Sequence, residues 1–599
     1  MIRYPLLALI VAAGFALRVW HNDYGLPFIW GIDEGFHFTN RAVEMFEPDH
    51  GLDPGYYQNP SAYTYLVYAL LRVMYGPLKF IFDLPWANIP QQFNKDPTEI
   101  WIAARTLAAG LGAAGVVATY VAARRIWGVR EGLAAAALLS FAFLPVVYSR
   151  IAVTDVGALI GISLALWGAV RAYEDGRLRW YLLAGGAGGL ALAFKYTAGL
   201  VMLPLVIAAA ARLREDGRRA LLRLAAAAGL LLAVFLICEP FLFGSIGQWW
   251  ADLGDQARVT ANKPKPGQES GGLSYYLDSL TWGLGWAASL AALAGAAIEL
   301  RRDWRRGLLL AVMPVALFVY LSVQSRYFGR WLLPAYPALA MLGAVALTRA
   351  ADLVPRGAVA RAAVLTLLTA LVLAQPLAAD VRTARVLGRQ DTREEVRDYL
   401  IGNFPPELRV SIEPAVPGRF YRNNPDGRLP PWLHRCPRRA DWRGLGWSYP
   451  GPGGKRVCKR HRPGQFARPS GGVRASAYHL VLDRRVIDDF RRYGYCMVVT
   501  FGVVRDRALE TGDSNVREYY ARLERESDVV RRFSPYDEGA QPPPFHFDLS
   551  FNYYPTAYHR PGPVATIHRL RDCRQRYGPS AVRLPRAREL PEQTQGEEP

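Results

Sequence analysis

VMLPLVIAAAARLREDGRRALLRLAAAAGLLLAVFLIC, residues 201–238, decides the fold. An apolar run leads into Arg212, Arg214, Arg218 and Arg219, and a second apolar run follows. Each run approaches the roughly 20 residues that cross a bilayer as a helix. In hydrocarbon the backbone must satisfy its own polar groups, which a helix does. The stretch therefore reads as a membrane hairpin with a basic, cytoplasmic turn.

Comparable runs lie at 5–21, 100–123, 131–149, 155–171, 180–196, 197–211, 220–238, 277–299, 307–324, 331–348 and 357–379, about 11 spans. The runs at 180–196 and 197–211 join through FKYTAG (194–199) as a tight hairpin. With Arg3 inside, every inner loop is basic: ARRIWGVRE (123–131), RAYEDGRLR (171–179), RLREDGRR (212–219), RRDWRR (301–306) and the stretch 349–361. The outer loops are acidic and aromatic. This alternation predicts a multi-pass protein of the inner (plasma) membrane, N-terminus cytoplasmic, with residues 381–599 outside. The first run is read as a span and not as a cleaved signal, because Arg18 and Trp20 stand where small residues would mark cleavage.

The chain has 599 residues, 51% hydrophobic and 20% charged, and a net charge of +20. The arginines fall mainly between apolar runs and in the tail, so orientation in the membrane explains them and no nucleic-acid partner is expected. Two domains follow: a membrane domain, 1–380, and an extracytoplasmic mixed α/β domain, 381–599. The second contains an Arg/Pro/Gly-rich insertion at about 417–474 and a disordered tail at about 579–599. In it TREEVRDYLIGNF (392–404) and NVREYYARLERESDVVRRFS (515–534) read as helices, and RVSIEP, HLVLD, YCMVVTFGVV and VATIHRL as strands. Cys436, Cys458, Cys496 and Cys573 all lie there, and an oxidising compartment permits two disulfides. The most local pairing is Cys436–Cys458 with Cys496–Cys573, among three that four cysteines allow.

The first outer loop, about 22–99, carries the chemistry. DEGFHFTNRAVEMF (33–46) has helical spacing, with Asp33 as its N-cap. A second amphipathic segment opens at Pro60. Both read as helices lying in the interface. Asp33, Glu34 and His37 crowd one end of the first. Two adjacent carboxylates near an apolar surface raise each other's proton affinity, which suits a general base. Asp155 stands at the outer start of the fourth span, where pairing with Arg150 is the alternative to a catalytic role. Lys195 lies between two apolar runs and needs a partner such as a phosphate or Asp155. Arg326 and Arg330 flank an outer turn, where a guanidinium can grip phosphate or merely anchor at the interface. Arg105 reads as structural. The outer stretch 239–276 contains EPFLFGSIGQWW, apolar enough to re-enter the interface. It also contains NKPKPGQESGG, either a lid or a plain basic loop. One histidine without a spaced partner makes no metal motif, and no cofactor is expected. AGGAGGLALA (184–193) sits inside a span, where small residues serve helix packing.

The order of these pieces resembles a family. A span followed by DE, then YYQNPSAYTYLVYALLRVMYG (56–76), AARTLAAGLG (103–112), YSRIAVTDVGAL (148–159), LALAFKYTAGLVMLPL (190–205) and SRYFGRWLLPAYPALAMLGA (325–344), is similar to the polyprenyl-phosphate-dependent glycosyltransferases of the GT-C fold. That superfamily includes the protein O-mannosyltransferases and the aminoarabinose transferases acting on lipid A. The likeness covers roughly 5–380. QDTREEVRDYLIGNFPPELRVSIEP and GPVATIHRL resemble, more loosely, the ends of the outer domain of bacterial members. The resemblance implies a polyprenyl-phosphate-linked sugar donor, a lipid, glycan or protein acceptor, and transfer on the outer face, with inversion. It implies Asp33 as base, Glu34 orienting it or contacting acceptor, and Asp155 as second acid. Arg326, Arg330, Lys195 and Arg150 would meet the donor phosphate, and His37, Asn59 and Tyr57 would line the acceptor side or the mouth. Some relatives carry a lysine where this chain has Asn59, so that phosphate contact is absent or supplied elsewhere. A transporter is disfavoured because the central spans carry few ionisable residues and no paired halves. A non-catalytic scaffold with a sensing outer domain is the third reading.

Overall fold

The computed structural model describes residues 3–78, 88–265, 268, 271–354, 357–404, 408–417, 420, 447–450, 456–459, 466–467, 482–545 and 557–576. The chain forms two compact units. One comprises Met1–Asp23 and Asp33–Arg385, the other Tyr24–Ile32 and Val386–Pro599.

The first unit is helical. Among the described residues eight helices are long and apolar enough to cross a membrane, within Thr98–Ile126, Asp155–Asp175, Tyr196–Asp216, Arg218–Cys238, Gly272–Arg302, Trp304–Ser322, Gly329–Asp352 and Ala358–Asn403. Two shorter apolar helices, Tyr4–Val19 and Leu178–Phe194, accompany them. The stretch expected as one span at 131–149 is instead two helices, Val129–Ser140 and Phe143–Tyr148. Pro145 explains the break: its ring would clash with the carbonyl of Phe141 in a continuous helix, and it has no N–H to donate. The carbonyls left over at the break are taken by buried Arg18, whose Nη1 donates to Ser140 O at 2.8 Å.

The small-residue stretch 184–193 does pack helices. A methyl group on Gly185 would lie 2.2 Å from the Ala227 carbonyl oxygen, and one on Gly189 would lie 2.4 Å from that of Leu231. Leu178–Phe194 and Arg218–Cys238 therefore touch backbone to backbone, as small residues four apart allow. Arg218–Cys238 presents most of its other surface outwards, whereas Gly329–Asp352 is largely enclosed by its neighbours.

The outer-loop helices differ from expectation in two places. The expected helix 33–46 is divided at His37 (φ −107°, ψ −106°) into Ile32–Phe36 and Phe38–Glu44. Asp33 is thus inside the first short helix, not its N-cap. The stretch 239–276 is also not a simple loop, for it contains the helix Ile246–Asn262. Ala62–Tyr75 forms the helix that follows Pro60.

The second unit is built on a five-stranded sheet of order β4-β1-β5-β7-β6, with β1 Val410–Ile412, β4 Phe466–Ala467, β5 Met497–Phe501, β6 Ser527–Phe533 and β7 Ala565–Leu570. A separate hairpin joins β2 Trp447–Pro450 to β3 Arg456–Lys459. β1 runs parallel to β4 and β5, with Val410 opposite both Phe466 and Met497. β7 is antiparallel to β5 and β6. Both faces of β5 are buried: Met497, Val499 and Phe501 face one apolar cluster with Val396, Ile412 and Ile567, while Val498 faces another with Ile487, Phe490 and Tyr519. A strand covered on both sides needs a mainly apolar run, which Met497, Val498, Val499 and Phe501 supply, while the buried Thr500 hydroxyl pairs with His568 Nε2 at 3.3 Å.

NVREYYARLERESDVVRRFS, expected as one helix, is the helix Ser514–Glu526 followed by β6. β6 lies at the sheet edge with its charged residues exposed, as edge strands commonly are. Cys496 and Cys573 form a disulfide at the ends of neighbouring β5 and β7. Phe28 of the short stretch Tyr24–Ile32 sits in this unit's core beside Phe420, and Trp30 lies under the Arg393 guanidinium at 4.0 Å. Cys436, HLV of HLVLD, most of the expected insertion and the expected disordered tail lie outside the described residues.

Candidate active site

Four charged side chains from four separate stretches meet in the helical unit. Asp33, in the short helix Ile32–Phe36, pairs with Arg330 at the start of the turn Gly329–Ala335. Asp155, where Thr154 leads into the helix Ala158–Asp175, pairs with Lys195, which separates Leu178–Phe194 from the next helical turn. The two pairs also sense each other: Arg330 lies within the field of Asp155, and Lys195 within that of Asp33. The cluster sums to zero formal charge. Asp33 is its open member, with 45% of its side chain exposed, while Asp155 is buried at 5%.

Burial alone would push the Asp33 carboxyl up. Arg330, helped by Lys195, overcomes that push and holds it below the ordinary carboxylate value. The raised proton affinity expected from two adjacent carboxylates is therefore absent, because Glu34 does not share the site. Glu34 is fully buried and takes Arg105 in a two-pronged pair, Nε at 2.7 Å and Nη2 at 2.9 Å. It also accepts the Ala152 N–H at 2.9 Å. Successive helical residues point about 100° apart. That rotation sends one carboxylate to Arg330 and its neighbour to Arg105.

His37 stacks on Tyr56, with ring centroids 4.5 Å apart and planes 10° apart. Burial lowers the imidazole's pKa against the pull of Asp33, so the ring favours its neutral form. The Tyr56 hydroxyl accepts from Asn59 Nδ2 at 2.6 Å, and burial raises its pKa. Tyr56 thus faces the cluster where Tyr57 was expected. Tyr57 is fully buried and structural: its hydroxyl donates to Asp53 at 2.8 Å and its N–H to Asp252 at 3.2 Å. The doubled tyrosine was the available signal, since neighbouring side chains in extended chain point opposite ways and only one can face the site.

Two expected phosphate contacts are used elsewhere. Arg150 does not pair with Asp155; its Nε donates to Leu17 O at 3.0 Å and its Nη2 to Asp380 O at 3.3 Å. Arg326 turns to the C-terminal end of Ile246–Asn262, where its N–H donates to Thr260 O at 3.0 Å and its Nε donates to Lys263 O, just past the helix, at 3.1 Å. Arg330 and Lys195 are the cations of the cluster itself. Among the described residues no group of three or more His, Cys, Asp and Glu side chains lies close enough to hold a metal ion.

Glu239 was not singled out by the sequence. It follows Arg218–Cys238, is 2% exposed, and accepts the Ser61 N–H at the start of Ala62–Tyr75. Burial pushes its carboxyl up to about 7. The signal was an acid placed immediately after a 21-residue apolar helix.

Residues 100–243 match the model of the dolichyl-phosphate-mannose-protein mannosyltransferase family. No curated protein matches the chain. Among solved structures, the chain is similar to ArnT from Cupriavidus metallidurans bound to undecaprenyl phosphate, at 16% identity over 67% of this chain and 82% of that one, TM-score 0.45. It is also similar to the Archaeoglobus fulgidus oligosaccharyltransferase at 13% identity, over 89% and 73%, TM-score 0.49. The Saccharomyces cerevisiae protein O-mannosyltransferase Pmt1–Pmt2 complex bound to the sugar donor follows at 19% identity, over 41% and 34%, TM-score 0.31. These structural likenesses are loose. The family match falls on the stretch that carries Arg105, Asp155, Lys195 and Glu239.

Proposed function

We propose that the protein is a membrane glycosyltransferase that moves a sugar from a polyprenyl-phosphate carrier to an acceptor on the extracytoplasmic side, with inversion. The observation that carries this reading is the meeting of Asp33, Asp155, Lys195 and Arg330 where several apolar helices end. A lipid-borne donor keeps its tail in the bilayer and presents a phosphate and a sugar at that depth. Two cations already held in place match a phosphate leaving group, and an exposed carboxylate beside them matches a base.

The reaction balances without a cofactor. The acceptor's O–H or N–H proton passes to an Asp33 carboxylate oxygen. The acceptor atom then bonds to the anomeric carbon as the bond from that carbon to the phosphate oxygen breaks. The electron pair leaves with the phosphate, held by Lys195 and Arg330. A single in-line displacement inverts the anomeric centre.

Paired with Arg330, Asp33 is a weak base. A phosphate that takes up Arg330 releases Asp33 and raises its proton affinity, so donor binding itself readies the base. Asp155 holds Lys195 in place until the phosphate arrives. The positive-inside pattern supports a cluster on the outer face with the N-terminus cytoplasmic.

The test is direct. Purified protein is incubated with polyprenyl phosphates carrying different labelled sugars and a panel of lipid, glycan and peptide acceptors. Transfer of label with release of polyprenyl phosphate, lost in Asp33→Asn, is expected. Label that stays on every carrier would refute the reading.

A further inference from the structure

We infer that Glu239 is a positioning residue that, through the backbone of Tyr56–Ser61, sets the wall of the site carrying Tyr56. Its kinetic consequence rests on the proposed sugar transfer; its structural consequence does not.

The stretch between Gly55 and Ser61 belongs to no helix, yet it supplies the tyrosine stacked on His37 beside Asp33. Its backbone is held by side chains from later elements. The Tyr57 N–H donates to Asp252 Oδ2 at 3.2 Å, from the helix Ile246–Asn262. The Tyr57 carbonyl accepts from the Tyr196 hydroxyl at 3.0 Å. The Ser61 N–H donates to Glu239 Oε1, and the Ala62 N–H also points to that carboxylate.

Ser61 is the N-cap of Ala62–Tyr75, and its own side chain makes no capping hydrogen bond. Glu239 therefore does from a distance what a cap does locally: it gives the orphan amides of a helix start an acceptor, with a negative charge where the helix dipole favours one. Because the helix start and the tyrosine wall are consecutive in the chain, the carboxylate fixes both.

The titratable groups facing Glu239 are Tyr65 of the capped helix, Tyr57, Tyr196 and its own neighbour Cys238, with Asp53 and Asp252 acting on the same tyrosines. These neighbours are neutral or acidic, and burial raises the carboxyl to about 7. Above that value the carboxylate can hold both amides. Below it, a proton occupies one oxygen and the grip loosens. Glu239→Gln imitates the protonated form at every pH.

The experiment follows hydrogen exchange of the peptide covering 55–65 in the full-length protein, wild type and Glu239→Gln, corrected for intrinsic rates at pH 6 and pH 8. At pH 8 the Ser61 and Ala62 amides of the variant should exchange about tenfold faster, the scale of a lost hydrogen bond to a charged group. At pH 6 the two proteins should converge. Peptides from Gly329–Asp352 report whether the variant is folded. In parallel, kcat for sugar transfer at pH 8 should fall about tenfold in the variant with KM for the lipid donor unchanged. Equal protection at pH 8 in a folded variant would overturn the inference. A wild type that transfers no sugar would count against the proposed function and leave the exchange result to decide this inference.

Discussion

Glu34 and Asp33 are adjacent carboxylates with opposite duties, and separate substitutions should split them cleanly. Glu34 has no exposed surface on its side chain, and Arg105 opposite it is equally enclosed. Glu34→Ala would leave that guanidinium buried without its anion and the Ala152 N–H without an acceptor. Removing one partner of a buried pair costs about 3–5 kcal/mol, and an orphaned buried amide adds about 1–3 kcal/mol. A loss near 5 kcal/mol approaches the whole stability of a typical domain, about 5–15 kcal/mol. Asp33→Asn, by contrast, changes a side chain 45% exposed and keeps its shape and an oxygen that can accept from Arg330. Thermal unfolding of both variants in the same detergent should show a large fall in midpoint for Glu34→Ala and almost none for Asp33→Asn. Transfer activity should vanish in Asp33→Asn at full folded yield. If Glu34→Ala unfolds like the wild type while losing transfer, the assignment of Glu34 to structure is wrong.

Other outcomes follow from the same geometry. Lys195→Ala should weaken polyprenyl-phosphate binding by about tenfold to a hundredfold, the scale of a lost charged hydrogen bond, measured by isothermal titration; unchanged affinity would remove Lys195 from the phosphate site. In the second unit, burial pushes the Glu413 carboxyl up to about 8 although it accepts from Phe501 N–H at 2.7 Å and the Tyr520 hydroxyl at 2.7 Å. A raised folded value means stability is fully present below the unfolded pKa and is lost as pH rises, here between 4.5 and about 8. Chemical denaturation of Glu413→Gln should lack that slope; an equal slope in both proteins would refute it. For sidedness, Asp49→Cys should react with an impermeant thiol reagent from outside intact cells, while Glu215→Cys should react only after permeabilisation. The reverse pattern would place the site in the cytoplasm.

Much of the fold was legible because membrane spans are written in composition. The runs around 197–238 and their arginines needed no tertiary information. The break before Phe143 was harder, since Pro145 lies within an apolar run that hydropathy reads as continuous. β6 was hidden because an edge strand can carry Arg531 and Arg532 in the open, which looks like the polar face of a helix. For the site, residue types were legible and partners were not. Lys195 demanded an anion, and the sequence offered Asp155 among others. Nothing local could tell that Arg330 would reach Asp33, that Arg105 would consume Glu34, or that Arg150 would turn to backbone carbonyls. Those outcomes depend on the rotation of one short helix and on contacts between distant stretches, which a linear pattern does not encode.

Single-turnover transfer in proteoliposomes loaded with one labelled polyprenyl-phosphate sugar tests the central claim most directly. Wild-type protein should pass the label to acceptor with inverted anomeric configuration, and Asp33→Asn should bind the same lipid but transfer none of it. Equal transfer rates in the two proteins, or retained configuration in the product, would contradict a base at Asp33 working beside the phosphate clamp of Lys195 and Arg330.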